Sequence, residues 1–267
     1  MNAQGTERTE KRLCVGLLAH VDAGKTTLSE AMLYRAGVIR TLGRVDHGDT
    51  FLDTDAQERS RGITIFSKQA VLPLPGCTLT LLDTPGHVDF NYEVSRSLAA
   101  CEGALLVVDA TQGVEAQTLA NTYMALEHDL ELVPILNKID LPSAHPDEVA
   151  QEVEDVIGLP CMEAPRVSAK LGIGVKEVLE SVARDIPAPT GDPDAPLKAL
   201  IFDSIYDSYK GVIVYIRVFE GTVKPGDTIR LMATGAQFTL VEVGHMGATS
   251  LTPCDQLQAG EGGYLTA

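Results

Sequence analysis

Residues 13–27 read LCVGLLAHVDAGKTT and contain the strongest local pattern in the chain. The first six residues form a continuous apolar run, which is typical of a buried parallel strand. The following residues match the phosphate-binding loop pattern at every fixed position except Ala19, where the pattern has glycine. A helical pattern comes next, with Leu28, Met32 and Leu33 on one face. Strand, loop and helix in this order predict a phosphate-binding loop.

The residue types of this loop suit a bound polyphosphate. Backbone N–H groups at a helix N-terminus point toward phosphate oxygens, and the helix dipole favours their negative charge. Gly24 permits close approach of the backbone, Lys25 can reach the β- and γ-phosphates, and the Thr26 hydroxyl can ligate Mg²⁺. A strand–turn–helix that contains Gly-Lys-Thr by chance is the alternative reading. The candidate nucleotide-binding residues are Ala19, His20, Val21, Asp22, Ala23, Gly24, Lys25, Thr26 and Thr27.

Length and composition limit the class of protein. A chain of 267 residues can form one large domain and a smaller one. The net charge of −16 argues against a non-specific nucleic-acid binder, so any RNA contact has to be local. The polar first 12 residues argue against a signal peptide, and no apolar run reaches membrane-spanning length. Five scattered cysteines indicate reduced thiols in a cytoplasm rather than a metal site.

Strands alternate with helices up to residue 185, which predicts a mostly parallel sheet covered on both faces. We expect helix 115–128 to bury Leu119, Tyr123 and Leu126, and the acidic residues of helix 147–157 to form a solvated face. Residues 37–62 are predicted to be a long loop. Further strands are predicted at 64–72, 78–82, 104–109, 132–136 and 165–168, and further helices at 92–100 and 175–185.

The composition changes after residue 185. Residues 186–196 read IPAPTGDPDAP, a stiff proline-rich linker. Beyond it, short strand patterns and a turn at 224–227 predict a small antiparallel barrel. Its strands are predicted at 200–204, 211–219, 228–232 and 238–243. The predicted organisation is a flexible N-terminus at 1–11, a nucleotide-binding domain at 12–186, a linker at 187–196 and a barrel at 197–267.

Three further motifs follow predicted strands. In residues 83–87, DTPGH, the Asp83 carboxylate can hold Mg²⁺ and the Gly86 N–H can contact a γ-phosphate, although a plain β-turn explains the same residues. In residues 137–140, NKID, the Asp140 carboxylate can accept from the two N–H donors of guanine, which adenine lacks. Residues 168–170, SAK, follow a further strand and can contact the guanine carbonyl. With the phosphate loop these make four short motifs, each at the carboxyl end of a strand, and together they predict a guanine-nucleotide site. The candidate base-binding residues are Asn137, Lys138, Asp140, Ser168, Ala169 and Lys170.

Residues 61–65, 83–87 and 137–140 resemble the motif set of the translational GTPases. Within that family, residues 92–103, 109–118 and 196–204 are similar to the elongation factor 4 (LepA) group. The front, at 19–27 and 43–62, resembles the ribosomal-protection tetracycline-resistance proteins and elongation factor G. Elongation factor 4 typically has His and Lys-Ser where this chain has Ala23 and Lys25-Thr26, and the family commonly has alanine at the position of Ala19.

The resemblance covers residues 12–267 and implies a ribosome-stimulated GTPase that binds GTP, GDP and Mg²⁺. The implied fold is an α/β P-loop GTPase domain followed by a truncated antiparallel β-barrel. Asp22 is implied to lie near the β–γ bridge and to hold a monovalent cation such as K⁺. The implied catalytic residues are His87, which orients the attacking water, Lys25 and Asp22; the Mg²⁺ ligands are Thr26, Thr64 and Asp83; and an apolar gate is formed by Val21 and Ile63.

The chain ends inside the implied barrel, so we expect a fragment that lacks the last barrel strands and later domains. An open barrel edge favours self-association, and otherwise no oligomer is expected. The likeness also implies a bacterial cytoplasmic protein, with peripheral association at the inner membrane face as a further implication.

Three other functions stay open. The first is a tetracycline-protection or elongation-factor-G-like factor. The second is a nucleotide-sensing module without turnover. Such a module is expected to lack Thr64 or His87, and this chain has both residues. The third is an ATP-using P-loop enzyme, which Asp140 argues against.

Overall fold

The computed structural model describes residues 11–43, 68–84, 91–246 and 250–267. The first sheet contains β1 (Lys11–Ala19), β2 (Lys68–Leu74), β3 (Cys77–Asp83), β4 (Gly103–Asp109) and β5 (Glu131–Asn137). Its five strands have the order β2-β3-β1-β4-β5. β1 pairs in parallel with β3 and β4, and β4 pairs in parallel with β5, whereas β2 is an antiparallel edge strand. The prediction of a mostly parallel sheet is confirmed.

Helices cover both faces of this sheet. They are α1 (Lys25–Arg35), α2 (Asn91–Leu98), α3 (Ala116–Glu127), α4 (Pro146–Ile157) and α5 (Val175–Asp185). α1 and α5 enclose one apolar cluster, to which β1 contributes Leu17. α2, α3 and α4 enclose the other, to which β1 contributes Leu18. Because β1 is buried on both faces, its sequence is apolar from Leu13 to Ala19.

The face of α3 that packs on the sheet differs from the predicted one. Tyr123 and Leu126 are exposed, and Asn121 and Thr122 are buried in their place. The Asn121 amide donates to the backbone oxygen of Ala19 at 3.2 Å, and the Thr122 hydroxyl donates to the backbone one turn earlier. Polar groups with partners can be buried, and a pattern of apolar residues does not detect them.

The acidic residues of α4 form the predicted solvated face: Glu148, Glu152 and Asp155 are exposed, and Glu154 is partly exposed. The carboxylate of Glu154 also closes a turn, because it accepts hydrogen bonds from the backbone N–H groups of Cys161 and Met162 at 2.7 and 3.0 Å.

The predicted strand at 165–168 is wrong. Residues 165–168 form a single parallel bridge between Leu136 and Arg166 rather than a strand. The chain turns there, because the Ser168 N–H already donates to the Ile173 oxygen.

The part of the chain beyond residue 197 consists of antiparallel sheets, as predicted. The strands are β6 (Lys198–Asp207), β7 (Gly211–Glu220), β8 (Thr222–Val223), β9 (Thr228–Arg230), β10 (Gln237–Thr239), β11 (Glu242–Met246), β12 (Leu251–Pro253), β13 (Leu257–Gln258) and β14 (Gly262–Thr266). The larger sheet has the order β12-β11-β14-β7-β6, and two-stranded sheets join β9 to β10 and β8 to β13. The predicted strand 238–243 is divided between β10 and β11, and β8, β12, β13 and β14 were not predicted.

Candidate functional site

The loop between β1 and α1 has the geometry of an anion-binding turn. Gly24 is the N-cap of α1 with φ of 90°, and Asp22 also adopts positive φ, at 62°. A Cβ added to Gly24 would lie 2.4 Å from Nδ2 of Asn137. Only glycine therefore fits at this position, and the loop is pressed against the end of β5.

Lys25 connects this loop to the end of β3. Its side chain is 7% exposed, its Nζ donates to the backbone oxygen of Thr84, and the same atom lies 3.8 Å from Oδ1 of Asp83. The Thr84 hydroxyl donates to the Leu17 oxygen at 2.6 Å, which fixes the end of β3 beside β1. The structure thus brings together the lysine and the carboxylate that the two motifs supply.

The residues here suit a magnesium ion that is bound together with a phosphate. The Asp83 carboxylate is buried at the end of β3, and Thr26 is half-buried in the first turn of α1. One carboxylate and one hydroxyl are the hard oxygen donors that Mg²⁺ takes from a protein when phosphates supply further ligands. Among the described residues, no group of three or more His, Cys, Asp or Glu side chains forms a protein-only metal site.

Asn137 ties the phosphate loop to the loop after residue 167. Its Nδ2 donates to the Ala23 oxygen at 2.8 Å, and its Oδ1 accepts from the Ala169 N–H at 3.1 Å. The residue is almost fully buried, so both bonds are shielded from water. Asn137 therefore joins the two flanking loops, and these two hydrogen bonds account for its buried position.

Lys138 and Asp140 lie on the turn that follows. Lys138 has φ of 66°, and its Nζ pairs with Oδ2 of Asp109 at 2.7 Å. Asp140 is exposed, as a residue that receives a base from solvent has to be. Ser168 and Ala169 are buried beside this turn, and Lys170 is exposed. The Ile139 N–H donates to the Val167 oxygen, which holds the two loops side by side.

Asp109 is a site residue that the sequence analysis missed. Burial alone would raise its pKa, but hydrogen bonds from Lys138 and Thr111 outweigh that effect and lower it. Its Oδ1 accepts from the Thr111 N–H and hydroxyl at 2.8 and 2.7 Å, and its Oδ2 pairs with Lys138. Asp109 orients the Lys138 side chain, although only its place at the end of β4 could have indicated this role.

Several predicted site residues lie outside the described part of the chain: Ile63, Thr64, Gly86 and His87. Their roles stay predictions. Of the others, Val21 is half-buried and Asp22 is exposed beside the loop. No helix in the described ranges has the length and apolar character needed to cross a membrane.

Comparison with known proteins agrees with this geometry. Residues 10–188 match the family described as the elongation factor Tu GTP binding domain. Elongation factor 4 of Agathobacter rectalis is 58% identical over 94% of this chain and 42% of its own length. Elongation factor 4 of Bacillus subtilis is 54% identical over 98% of this chain and 43% of its own length. The chain therefore spans less than half the length of these relatives, and the likeness to elongation factor 4 includes its front part.

Solved structures share the fold. A protein from Thermus thermophilus superposes with a TM-score of 0.80 at 22% identity, covering 96% of this chain and 52% of that one. A bacterial selenocysteine-specific elongation factor superposes with a TM-score of 0.76 at 22% identity, covering 96% and 42%. The family match extends over all five strands of the sheet that contains β1. This chain belongs to the translational GTPases, the family that carries the elongation factor Tu GTP binding domain.

Proposed function

We propose that this chain binds GTP and GDP, hydrolyses GTP, and acts on the ribosome as a factor of the elongation factor 4 type. The observation that carries the nucleotide proposal is the double hydrogen bond of Asn137, which places the phosphate loop beside the loop of Ser168 to Lys170. Asp140 is exposed on the turn that follows β5, three residues after Asn137. A guanine base at Asp140 and phosphates at Lys25 would be bound by one rigid surface.

Asp140 would give guanine specificity. Its carboxylate offers acceptors to the two N–H donors on guanine, and a base without them would leave it unpaired. Thr26, Asp83 and Thr64 would hold Mg²⁺, which neutralises charge on the β- and γ-phosphates. We further propose that a monovalent cation binds near Asp22. The Asp22 carboxylate is exposed at the phosphate loop, so a cation can reach it without the cost of burying a charge.

His87 would orient the attacking water, and Val21 with Ile63 would restrain it before the ribosome is engaged. Enzymes of this class hydrolyse GTP slowly until the water-orienting residue is held in place. The relatives at 52–58% identity are named elongation factor 4, and this supports the ribosome as the partner. With a net charge of −16, contact with RNA would be confined to local surfaces. A cytoplasmic location follows from the same likeness.

The base specificity is tested with fluorescent mant-GDP, mant-GTP and mant-ATP. We expect binding of the two guanine nucleotides and at least tenfold weaker binding of mant-ATP. Asp140→Asn should shift preference from guanine to xanthine, because xanthine presents an acceptor where guanine presents an amino donor. Asp129→Asn, which changes an exposed carboxylate on the turn after α3, is the matched control. Full GTP affinity in Asp140→Asn would contradict the assignment.

The hydrolysis proposal is tested by phosphate release with and without 70S ribosomes. We expect slow turnover by the chain alone and faster turnover with ribosomes. His87→Ala should lower the hydrolysis rate at least tenfold while mant-GTP affinity stays within about twofold, because a group that acts only in the transition state changes kcat and leaves ground-state binding alone. An unchanged rate in His87→Ala would remove the catalytic role from this residue.

A further inference from the structure

Three amide side chains from one short stretch contact three consecutive residues of the phosphate loop. Oε1 of Gln117 accepts from the Val21 N–H at 3.2 Å, and Nδ2 of Asn121 donates to the Ala19 oxygen at 3.2 Å. Between these two, the His20 ring Nε2 lies 2.7 Å from Oε1 of Gln112. None of these amides belongs to the four sequence motifs, and we call Gln112, Gln117 and Asn121 the amide set.

The start of α3 places two members of this set. Gln117 and Asn121 are four residues apart and therefore lie on the same face of the helix. A capping box formed by Glu115 and Thr118 fixes where α3 begins. Asn121 is 6% exposed, so its bond to Ala19 has little competition from water. The face of α3 that packs on the sheet therefore carries polar side chains beside the apolar Ala125.

The hydrogen bonds from Gln117 and Asn121 hold the backbone at the start of the phosphate loop, before Gly24, which is the N-cap of α1. A loop held in its binding conformation before the ligand arrives has less ordering left to do on binding. Where only a fraction of the free protein has the competent conformation, the apparent affinity falls by that fraction. Hydrogen bonds that hold Ala19 and Val21 in place raise that fraction, and they also oppose opening of the loop around a bound nucleotide. Both effects tighten binding, and the second slows nucleotide release.

We propose that Gln117 and Asn121 are positioning residues that hold the phosphate loop in its nucleotide-binding conformation and thereby slow nucleotide release. The inference rests on the proposed function, since it assumes that the loop binds GDP and GTP. Neither residue is assigned contact with the nucleotide. Both act through the backbone, at Ala19 and Val21, and Gln112 contacts the side chain of His20 between them.

The test measures dissociation of mant-GDP by stopped flow. Gln117→Met and Asn121→Leu keep the approximate volume of each side chain and remove its hydrogen bond. Each variant should release mant-GDP about two- to tenfold faster, the range that corresponds to the net contribution of one hydrogen bond. The double variant should release it faster than either. Gln151→Met is the matched control, because its amide bonds to Asp155 on the surface of α4.

A second readout separates positioning from general loss of structure. Hydrogen exchange at the Val21 amide should become faster in Gln117→Met, while Gln117→Glu, which keeps an acceptor oxygen, should restore the protection. Unfolding by urea shows whether each variant is folded. If both single variants and the double variant are folded and release mant-GDP at the wild-type rate, the inference is overturned. A wild-type chain that does not bind mant-GDP would instead contradict the proposed function, and the inference with it.

Discussion

At the scale of single residues, the buried polar groups of the site matter more than the exposed ones for its shape. Asn137 and Asp109 have almost no exposed surface. Asn137 forms hydrogen bonds with Ala23 and Ala169 on neighbouring loops, and Asp109 forms an ion pair with Lys138. A buried polar atom that loses its partner costs more free energy than the bond itself contributes. Such residues fix the geometry in which Asp140 and Lys25 can act.

Asp109 gives a pH-dependent prediction at this scale. Its pKa is lowered in the folded chain, because the bonds from Lys138 and Thr111 outweigh the opposing effect of burial. Its stabilising contribution is therefore present above the pKa of an unfolded aspartate, about 4, and is lost as pH falls through the lower folded value. Asp109→Asn should reduce the free energy of unfolding by about 1.5–3 kcal/mol at pH 7, and by less near pH 3.

Urea denaturation of wild type and Asp109→Asn between pH 3 and 7 measures this difference. Asp129→Asn removes one negative charge from an exposed position with φ of 53°, which asparagine also tolerates, and serves as the control. A destabilisation by Asp109→Asn that is the same at every pH would show that the charged pair with Lys138 is not its cause.

At the scale of elements, α1 shows how a helix is held at both ends. Gly24 caps its N-terminus with φ of 90°, and Gly37 follows its C-terminus with φ of 75°. Both glycines adopt a positive φ that is unfavourable for other residues, but their surroundings differ. A Cβ on Gly24 would meet the Asn137 amide at 2.4 Å, whereas a Cβ on Gly37 would have nothing within 4 Å.

Replacing each glycine by alanine separates backbone strain from the close approach. Gly37→Ala should cost about 1–2 kcal/mol in unfolding free energy, the cost of a left-handed conformation for a residue with a Cβ. Gly24→Ala should cost at least about 1 kcal/mol more, because Asn137 has to move and its bonds to Ala23 and Ala169 weaken. Urea denaturation without nucleotide measures both. If the two variants lost the same free energy of unfolding, the Asn137 side chain would have moved aside without loss of stability.

The sequence predicted those elements whose cause is local. The phosphate loop, the end of β3 and the bounds of α5 follow from turn residues and apolar periodicity, and the structure agrees. The packed face of α3 could not be predicted, since Asn121 is buried by a bond to Ala19, 102 residues away in the chain. The strands beyond residue 221 are only two to five residues long. Their bounds depend on the strands with which they pair, and no local sequence pattern indicates these partners.

At the scale of the whole molecule, the two sheets share a packed and charged boundary. Cys14, Leu82 and Ala100 of the parallel-sheet region form one apolar cluster with residues of the antiparallel sheet, namely Phe202, Ile213, Tyr215 and Tyr264. Arg96 of α2 donates through Nε to the Phe202 oxygen at 2.8 Å. This bond joins α2 to β6.

Arg217 of β7 is the most deeply buried charge at this boundary. It is 1% exposed, and it donates to Oε1 of Glu102 through Nη2 and to the Gly260 oxygen through Nη1. The other oxygen of Glu102 accepts from the Cys14 N–H of β1 at 2.7 Å. Burial raises the pKa of Glu102, and the Arg217 charge opposes this rise. The pair therefore joins the two sheets through a carboxylate that depends on its arginine partner.

Removing Arg217 should leave the Glu102 charge buried without compensation. Arg217→Met keeps most of the side-chain volume and should lower the free energy of unfolding by about 3–5 kcal/mol at pH 7, as expected for breaking a buried ion pair on one side. The loss should be smaller near pH 5, because protonation of Glu102, whose pKa is already raised, removes the uncompensated charge. Arg184→Met, at an exposed pair with Asp185, should cost less than about 1 kcal/mol.

A double-variant cycle isolates the coupling between the two sheets. Glu102→Gln keeps an acceptor for Cys14 and removes the charge, so Arg217→Met should cost less in that background than in the wild-type chain. Urea denaturation of the four chains, monitored by signals from both sheets, gives the coupling energy. A favourable coupling together with a single unfolding transition would mean that the pair makes the two sheets unfold as one unit. Additive single effects would instead assign the joining of the sheets to the apolar cluster around Tyr264 and leave Arg217 as an independent core residue.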